Sequence, residues 1–261
     1  MFKVPIKVAQ RLTTTIKTFQ NVLKSAYARD INESDTVTIV KDILSSVFGY
    51  DKYLEITSEF QIRGTYCDLA TMIDGKVNLL IEVKAIGISL KEHHIKQATD
   101  YASNEGIDWV ILTNGICWNV YKMQYGKPVT FELVFKFDFT ELNPKKDVEL
   151  LYPLSREGAT KSTLDIVHSQ RQALSRFSLG ALLMSEQYLN YLRRDLRKIS
   201  PNVKIDSSQI KEVIVTELFK REVVDNPDLK ESRKKVNKIF SKSKTSKIQK
   251  VNSVENTQGQ S

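Results

Sequence analysis

Apolar side chains recur at three- and four-residue steps at Val8, Leu12, Ile16, Phe19, Leu23 and Tyr27, which predicts an amphipathic helix over Ile6–Ala28. Asn32-Glu33-Ser34 breaks that pattern and supplies a helix start. Val37, Val40, Leu44 and Val47 mark a second helix, which Gly49 ends. The pattern then changes to that of strands. A short strand is predicted over residues 53–60, where Glu59 reads as a surface or pairing residue. Thr65–Ile73 reads as a second strand, Asp74-Gly75-Lys76 as a turn, and Val77-Asn78-Leu79-Leu80-Ile81-Glu82-Val83-Lys84 as a third strand. Side chains alternate across a strand, so Val77, Leu79, Ile81 and Val83 should share one face and Leu80, Glu82 and Lys84 the other. A helix follows over residues 90–104, then strands over 109–112, 117–121 and 129–137, with Thr113-Asn114-Gly115 as a hairpin turn.

Beyond Phe139 the period is helical. Residues 145–154 predict a short helix, 156–163 a polar connector, and 164–224 further helices, with apolar positions such as Leu174, Phe177, Leu182, Leu189, Leu196, Ile210 and Leu218. Pro201 separates two of them. The fold class read from this order is α/β, with an all-helical C-terminal appendage. The expected segments are an N-terminal helix (1–30), a core (31–140), the appendage (141–225) and a basic, partly disordered tail (226–261) that frays after about Ser241.

Composition narrows the picture. The chain has 261 residues, 41% of them hydrophobic, enough for a packed interior. Its two cysteines, Cys67 and Cys117, exclude a disulfide framework or a zinc knuckle and suit a reducing cytoplasm. No run approaches the ~18–20 apolar residues of a membrane span, and the N-terminus lacks a signal-peptide layout. A soluble cytoplasmic protein is expected. The net charge of +8 is unevenly placed: residues 226–261 hold nine Lys/Arg against three Asp/Glu, whereas 1–225 hold thirty against twenty-eight. The tail would add non-specific phosphate affinity or simply keep the chain in solution. The basic cluster Arg193, Arg194, Arg197 and Lys198 reads first as a solvated helix face, with DNA contact as the alternative.

The candidate chemistry lies in the hairpin. A three-residue loop at 74–76 would set Asp68 opposite Glu82, a two-residue loop would send Asp68 to the other face, and a bulge would restore the first arrangement. In the favourable register, two carboxylates and the Lys84 ammonium meet at one spot. Close carboxylates repel unless a cation lies between them, and Mg²⁺ is the natural guest. Lys84 would then hold an attacking water or steady negative charge on a phosphate. Singly, each residue has an ordinary reading: Glu-x-Lys as a solvated pair, Asp68 as a turn-proximal acid, Glu33 as a first-turn acid favoured by the helix dipole. His93 and His94 are adjacent on a predicted helix, diverge by about 100° and are read as exposed rather than as a metal pair.

The whole array, Asp68, thirteen residues, Glu82, one residue, Lys84, resembles the PD-(D/E)XK nuclease superfamily, and most closely the N-terminal nuclease domain of type I restriction enzyme R subunits. Cys67 stands where that motif usually has proline. Gln97-Ala98-Thr99-Asp100-Tyr101 reproduces the family's Gln-x-x-x-Tyr pair, and Glu33 matches by position an early-helix Glu directed at the metal site. The resemblance covers about residues 30–140 and implies a restriction-endonuclease-like mixed central sheet flanked by helices. It further implies a Mg²⁺-dependent DNA nuclease, with Mn²⁺ able to substitute. Asp68, Glu82 and the main-chain carbonyl of Val83 would bind the ion, and Glu33 a second one. Lys84 would orient the water, Gln97 would position Lys84 or a phosphate, and Tyr101 would hydrogen-bond the DNA backbone. The chain carries no Walker loop, Gly-x-Gly-x-x-Gly fingerprint or helicase motor, so a motor or specificity subunit is expected on another chain. A non-catalytic nucleic-acid-binding protein, or an assembly protein that forms homo-oligomers through the appendage, is the alternative.

Overall fold

The computed structural model describes residues 3–62 and 65–255, with side chains outside 59–66, 97 and 242–255. The chain divides into two compact units, Met1–His168 and Ser169–Ser261. No helix among the described residues is long and apolar enough to cross a membrane.

In the first unit, α1 (Ile6–Ala28) and α2 (Glu33–Ser46) precede three strands, β1 (Ile56–Ile62), β2 (Thr65–Ile73) and β3 (Lys76–Val83). A 3-10 turn at Glu92–Ile95 leads into α3 (Lys96–Glu105), and β4 (Trp109–Thr113), β5 (Cys117–Gln124) and β6 (Thr130–Asp138) complete one sheet. The strands lie in chain order, antiparallel except for the parallel pair β3–β4. That parallel pair needs a crossover, which the 3-10 turn and α3 provide. Leu79, Ile81 and Val83 of β3 pack in one core with Val8, Leu12 and Ile16 of α1 and Val40 and Leu44 of α2. Leu80 of β3 packs in a second core with Ala98, Tyr101 and Ala102 of α3. Both faces of the sheet are therefore covered, as a sheet with a parallel centre requires.

Several expectations shift by local chemistry. In α1, Tyr27 is exposed and Ala26 takes the buried position, because the 3.6-residue period follows Leu23 as well by three as by four steps. The strand expected from residue 53 starts at Ile56: the Asp51 carboxylate accepts the N–H groups of Tyr53 (2.9 Å) and Leu54 (2.8 Å), folding that segment into a turn. Glu59, read as a surface or pairing residue, has a side chain outside the described set. The first unit also runs past residue 140. Leu151, Tyr152, Leu154 and Leu164 bury in its larger core, and Arg156 pairs with Glu55 at 2.7 Å. Arg11 on α1 ties the same region down, donating to both carboxylate oxygens of Glu157 (2.8 and 2.7 Å) and to the carbonyls of Val47 and Phe48.

The hairpin register is resolved by a bulge. Asp74 (φ 50°) and Gly75 (φ 75°) form a two-residue turn, so Ile73 faces Lys76 rather than Val77. Met72 faces Val77, but Thr71 faces Leu79, which leaves Asn78 as the extra residue. Past it, Leu69 pairs with Ile81. The shorter turn alone would have misplaced Asp68; the bulge brings Glu82 opposite it. Val77 is accordingly not on the face of Leu79, Ile81 and Val83 but packs with the core that contains Leu80.

Helices α4 (Val148–Leu151), α5 (Arg156–Ala159) and α6 (Thr163–Ala173) follow the sheet. The second unit holds α7 (Arg176–Leu183), α8 (Glu186–Ile199), α9 (Ser207–Val213), α10 (Arg221–Val224) and α11 (Pro227–Glu255), with a π-helical turn at Ile214–Leu218. Its core is small: Ala181, Met184, Leu189, Ile210, Ile214, Leu229 and Val236. Leu174, Leu179 and Leu218, apolar positions of the helical pattern, are exposed. The α11 backbone is helical through the stretch whose composition suggests fraying.

Candidate active site

The site begins where the β2–β3 ladder ends. One step beyond Leu69–Ile81, Asp68 Oδ2 accepts the N–H of Val83 at 2.7 Å. Glu82 is 4% exposed. Lys84, two positions further along, lies on the same side as Glu82 and donates from Nζ to Glu82 Oε1 at 2.7 Å. Its backbone N–H donates to the Thr113 carbonyl at 2.8 Å, so β4 fixes the segment that carries it. The same Nζ lies 3.5 Å from Glu33 Oε1. Glu33 opens α2, whose Asn32 cap accepts the Asp35 N–H at 2.9 Å. The ends of β3 and β4 and the N-terminus of α2 thus meet the middle of β2 at one spot.

Electrostatics reflect that convergence. Burial raises the Glu82 carboxyl above its usual range, the Lys84 hydrogen bond opposes the shift, and repulsion from Asp68 and Glu33 adds to it. For Lys84 burial alone would lower the ammonium, but Glu82, Glu33 and Asp68 together outweigh it and hold the group above its ordinary value. Glu82 therefore feels Asp68 directly, and a cation near both would relieve the repulsion. Cys67, at the place of the motif's proline, is fully buried with Sγ 3.4 Å from the Ile81 carbonyl. Burial, then Glu82 and Asp68, push its thiol up to about 12.

Two oxygen-donating carboxylates on adjacent strands suit a hard divalent cation. They do not amount to a cage: among the described residues no group of three or more His, Cys, Asp or Glu is placed to hold a metal ion. Glu33, expected to hold a second ion, lies with Oε1 3.5 Å from the Lys84 ammonium, which also pairs with Glu82.

Asp68, Glu82, Lys84 and Glu33 are therefore brought together, and Val83 meets Asp68 through its N–H. The Gln97 side chain lies outside the described residues. Tyr101 departs from expectation. It is 1% exposed within the core of Leu80 and Ala98, so it packs the α3–sheet interface rather than facing DNA. An aromatic ring on the inner face of a covering helix is worth more as buried area than as a surface contact.

His94 departs from the reading of both histidines as exposed. The paired histidines do not sit on an α-helix: they occupy the 3-10 turn, their rings 4.1 Å apart and edge-on. His94 is half-buried, its Nδ1 accepting the Lys91 N–H at 3.1 Å. Burial is the first cause that lowers the imidazole below its ordinary value, with nearby positive charge such as Lys84 adding to it and Glu33 opposing it. Only the tertiary crossover could reveal this.

No curated protein and no solved structure matches the chain. A family model does match, over residues 39–137, a segment that contains Asp68, Glu82, Lys84, Gln97 and Tyr101 and begins after Glu33. That model describes the type I restriction enzyme R protein N terminus (HSDR_N), and the sheet unit of this chain is similar to that domain.

Proposed function

We propose that the protein is a divalent-metal-dependent DNA nuclease that hydrolyses phosphodiester bonds, an endonuclease acting in a restriction or defence setting. One observation carries the reading: Glu82 and Lys84 in contact at 2.7 Å, with Asp68 on the adjacent strand accepting the N–H of the intervening Val83 at 2.7 Å, inside a segment similar to a restriction enzyme domain. Asp68 and Glu82 are the residues proposed to hold Mg²⁺ or Mn²⁺, with the Val83 carbonyl beside them. Bound there, the cation would lower the pKa of a water and offset charge on the phosphate. Lys84 supplies a fixed ammonium that orients that water and balances negative charge as the phosphorus gains a fifth oxygen. Gln97 is proposed to position Lys84 or a phosphate, and Glu33 Oε1 lies 3.5 Å from the Lys84 ammonium. DNA is the proposed partner. A separate motor or specificity subunit is a further one, since the matched family is named for one protein of a restriction enzyme. The cytoplasm, where free thiols such as Cys67 and Cys117 persist, is the proposed location.

Plasmid, linear and single-stranded DNA incubated with the purified protein in Mg²⁺ or Mn²⁺ should be cut, and EDTA should stop the cutting. Asp68→Ala, Glu82→Ala and Lys84→Ala should each abolish cleavage while circular dichroism stays unchanged. Cleavage that survives all three removes the assignment. A second reading, a nucleic-acid-binding protein without catalysis, draws on the basic excess of the C-terminal part of the chain. DNA binding with no cleavage under any metal would select it.

A further inference from the structure

The two units differ sharply in charge. Residues 1–168 carry 20 Lys/Arg against 21 Asp/Glu, a net −1, and residues 169–261 carry 19 against 10, a net +9. The unit with the candidate chemistry thus has no overall attraction for a polyanion, and the other unit holds the entire excess. Within that second unit, α8 and α11 line an open cleft of about 1140 Å³. This exceeds the roughly 300–1,000 Å³ typical of small-molecule pockets, and arginine, asparagine and serine side chains share its lining with Met184, Tyr191 and Phe240. Arg193, Arg194 and Arg197 enter it from α8 and Arg233 from α11. Among the described residues Arg193, Arg197 and Arg233 form no ion pair, and Arg194 has only Asp195 at 3.6 Å. Arg194 lies over the Tyr191 ring, 5.1 Å from its centroid, and Arg197 is steadied by the Ile205 carbonyl at 3.2 Å. Like charges one helical turn apart repel, so a convergent, partly fixed set of guanidinium groups is best satisfied by anions. Guanidinium forks match phosphate oxygens two at a time.

We propose that the α8–α11 cleft is where this protein grips the phosphodiester backbone of DNA, through Arg193, Arg194, Arg197 and Arg233. This rests on the reading of DNA as the substrate but assigns the grip to a unit separate from the cutting site. The gripping is independent of sequence, because phosphate contacts carry no base information. Four such contacts give a slope of about −3.6 in log affinity against log salt, at about 0.9 per phosphate.

The test uses the full chain in EDTA, with fluorescence anisotropy of a short labelled duplex and KCl varied from about 50 to 200 mM. Arg193→Gln, Arg194→Gln, Arg197→Gln and Arg233→Gln combined should weaken binding at least about tenfold and flatten most of the slope. Circular dichroism checks that the helices remain. Asp195→Asn, which frees Arg194 and Lys198 from an acid at 3.6 and 3.0 Å, should tighten binding about two- to threefold. Wild-type affinity and slope in the fourfold variant overturn the proposal. So does displacement by polyglutamate as effective as by DNA, which would give the cleft to an acidic protein. A parallel cleavage assay of the wild-type chain in Mg²⁺ separates the two claims, because the anisotropy in EDTA reads binding whether or not cleavage is ever seen. Absent cleavage with arginine-dependent binding sinks the nuclease and leaves the grip standing.

Discussion

Replacing Lys84 with alanine leaves Glu82 buried without its cation, and the cost should depend on pH in a defined direction. Removing one partner of a fully buried ion pair costs about 3–5 kcal/mol. Here the Lys84 and Glu82 side chains are 20% and 6% exposed, but the carboxyl can escape part of the penalty by taking up a proton. About 2–3 kcal/mol is therefore expected near neutral pH. Glu82 already sits above its ordinary range through burial, with Asp68 and Glu33 adding repulsion and Lys84 resisting. Without Lys84 its folded pKa climbs further. Between the unfolded and folded values the folded state binds the extra proton, so stability falls as pH rises across that window. The penalty is absent below the unfolded value of ~4.3 and complete above the folded one. Urea unfolding followed by circular dichroism in EDTA, from about pH 4 to 8, reads this directly. Lys84→Ala should approach wild-type stability at the acid end and lose progressively more toward neutrality. In a Glu82→Gln background the same substitution should cost little and show no such pH dependence. A loss of equal size at every pH, or one unchanged by Glu82→Gln, would refute the reasoning.

Arg11→Ala should cost about 2–3 kcal/mol in the same unfolding assay, since it strands Glu157, whose carboxyl Arg11 holds low against burial, and two carbonyls. Gly49→Ala should cost about 1–3 kcal/mol, because φ is +82° and a Cβ would clash with the Arg11 guanidinium. Part of that cost should vanish in Arg11→Ala, giving a non-additive double variant. Burial keeps Cys67, pushed up to about 12, and also Cys117 raised, so folded protein near pH 8 should react slowly with a thiol reagent and promptly once unfolded. Tyr101→Ala should destabilise by about 3–5 kcal/mol through the lost core volume, as thermal unfolding would report.

The helices and strands were legible because their apolar spacing is the spacing of burial: Val8, Leu12 and Ile16 on α1, or Leu79 and Ile81 on β3, are buried where the pattern puts them. The acid–acid–lysine convergence was legible only conditionally. Asp74-Gly75 is a strong two-residue turn, which argues for the wrong register, and no side-chain signal announces that Asn78 bulges; the correction depends on strand twist and on packing at both faces. Tyr101 shows the reverse difficulty. Its spacing from Gln97 is real, but the polar composition of α3 conceals which side is inner, and only the contact with Leu80 and Ala98 decides it. His94 needed the 3-10 geometry of the crossover, which period-based reading takes for the start of a helix.

The unpaired residue at Asn78 has a further consequence for β3 as a ruler. From the turn to Val77 the strand keeps one phase, and from Leu79 onward it keeps the opposite one, with Asn78 directed at the Tyr50 hydroxyl 3.5 Å away. A scan of lysine substitutions along the strand should therefore lose its even–odd rhythm once, with positions 78 and 79 responding as neighbours on a single wall. The half-step slip lets the hairpin keep a tight, inexpensive reversal at one end while its far end sets its acids by an independent measure.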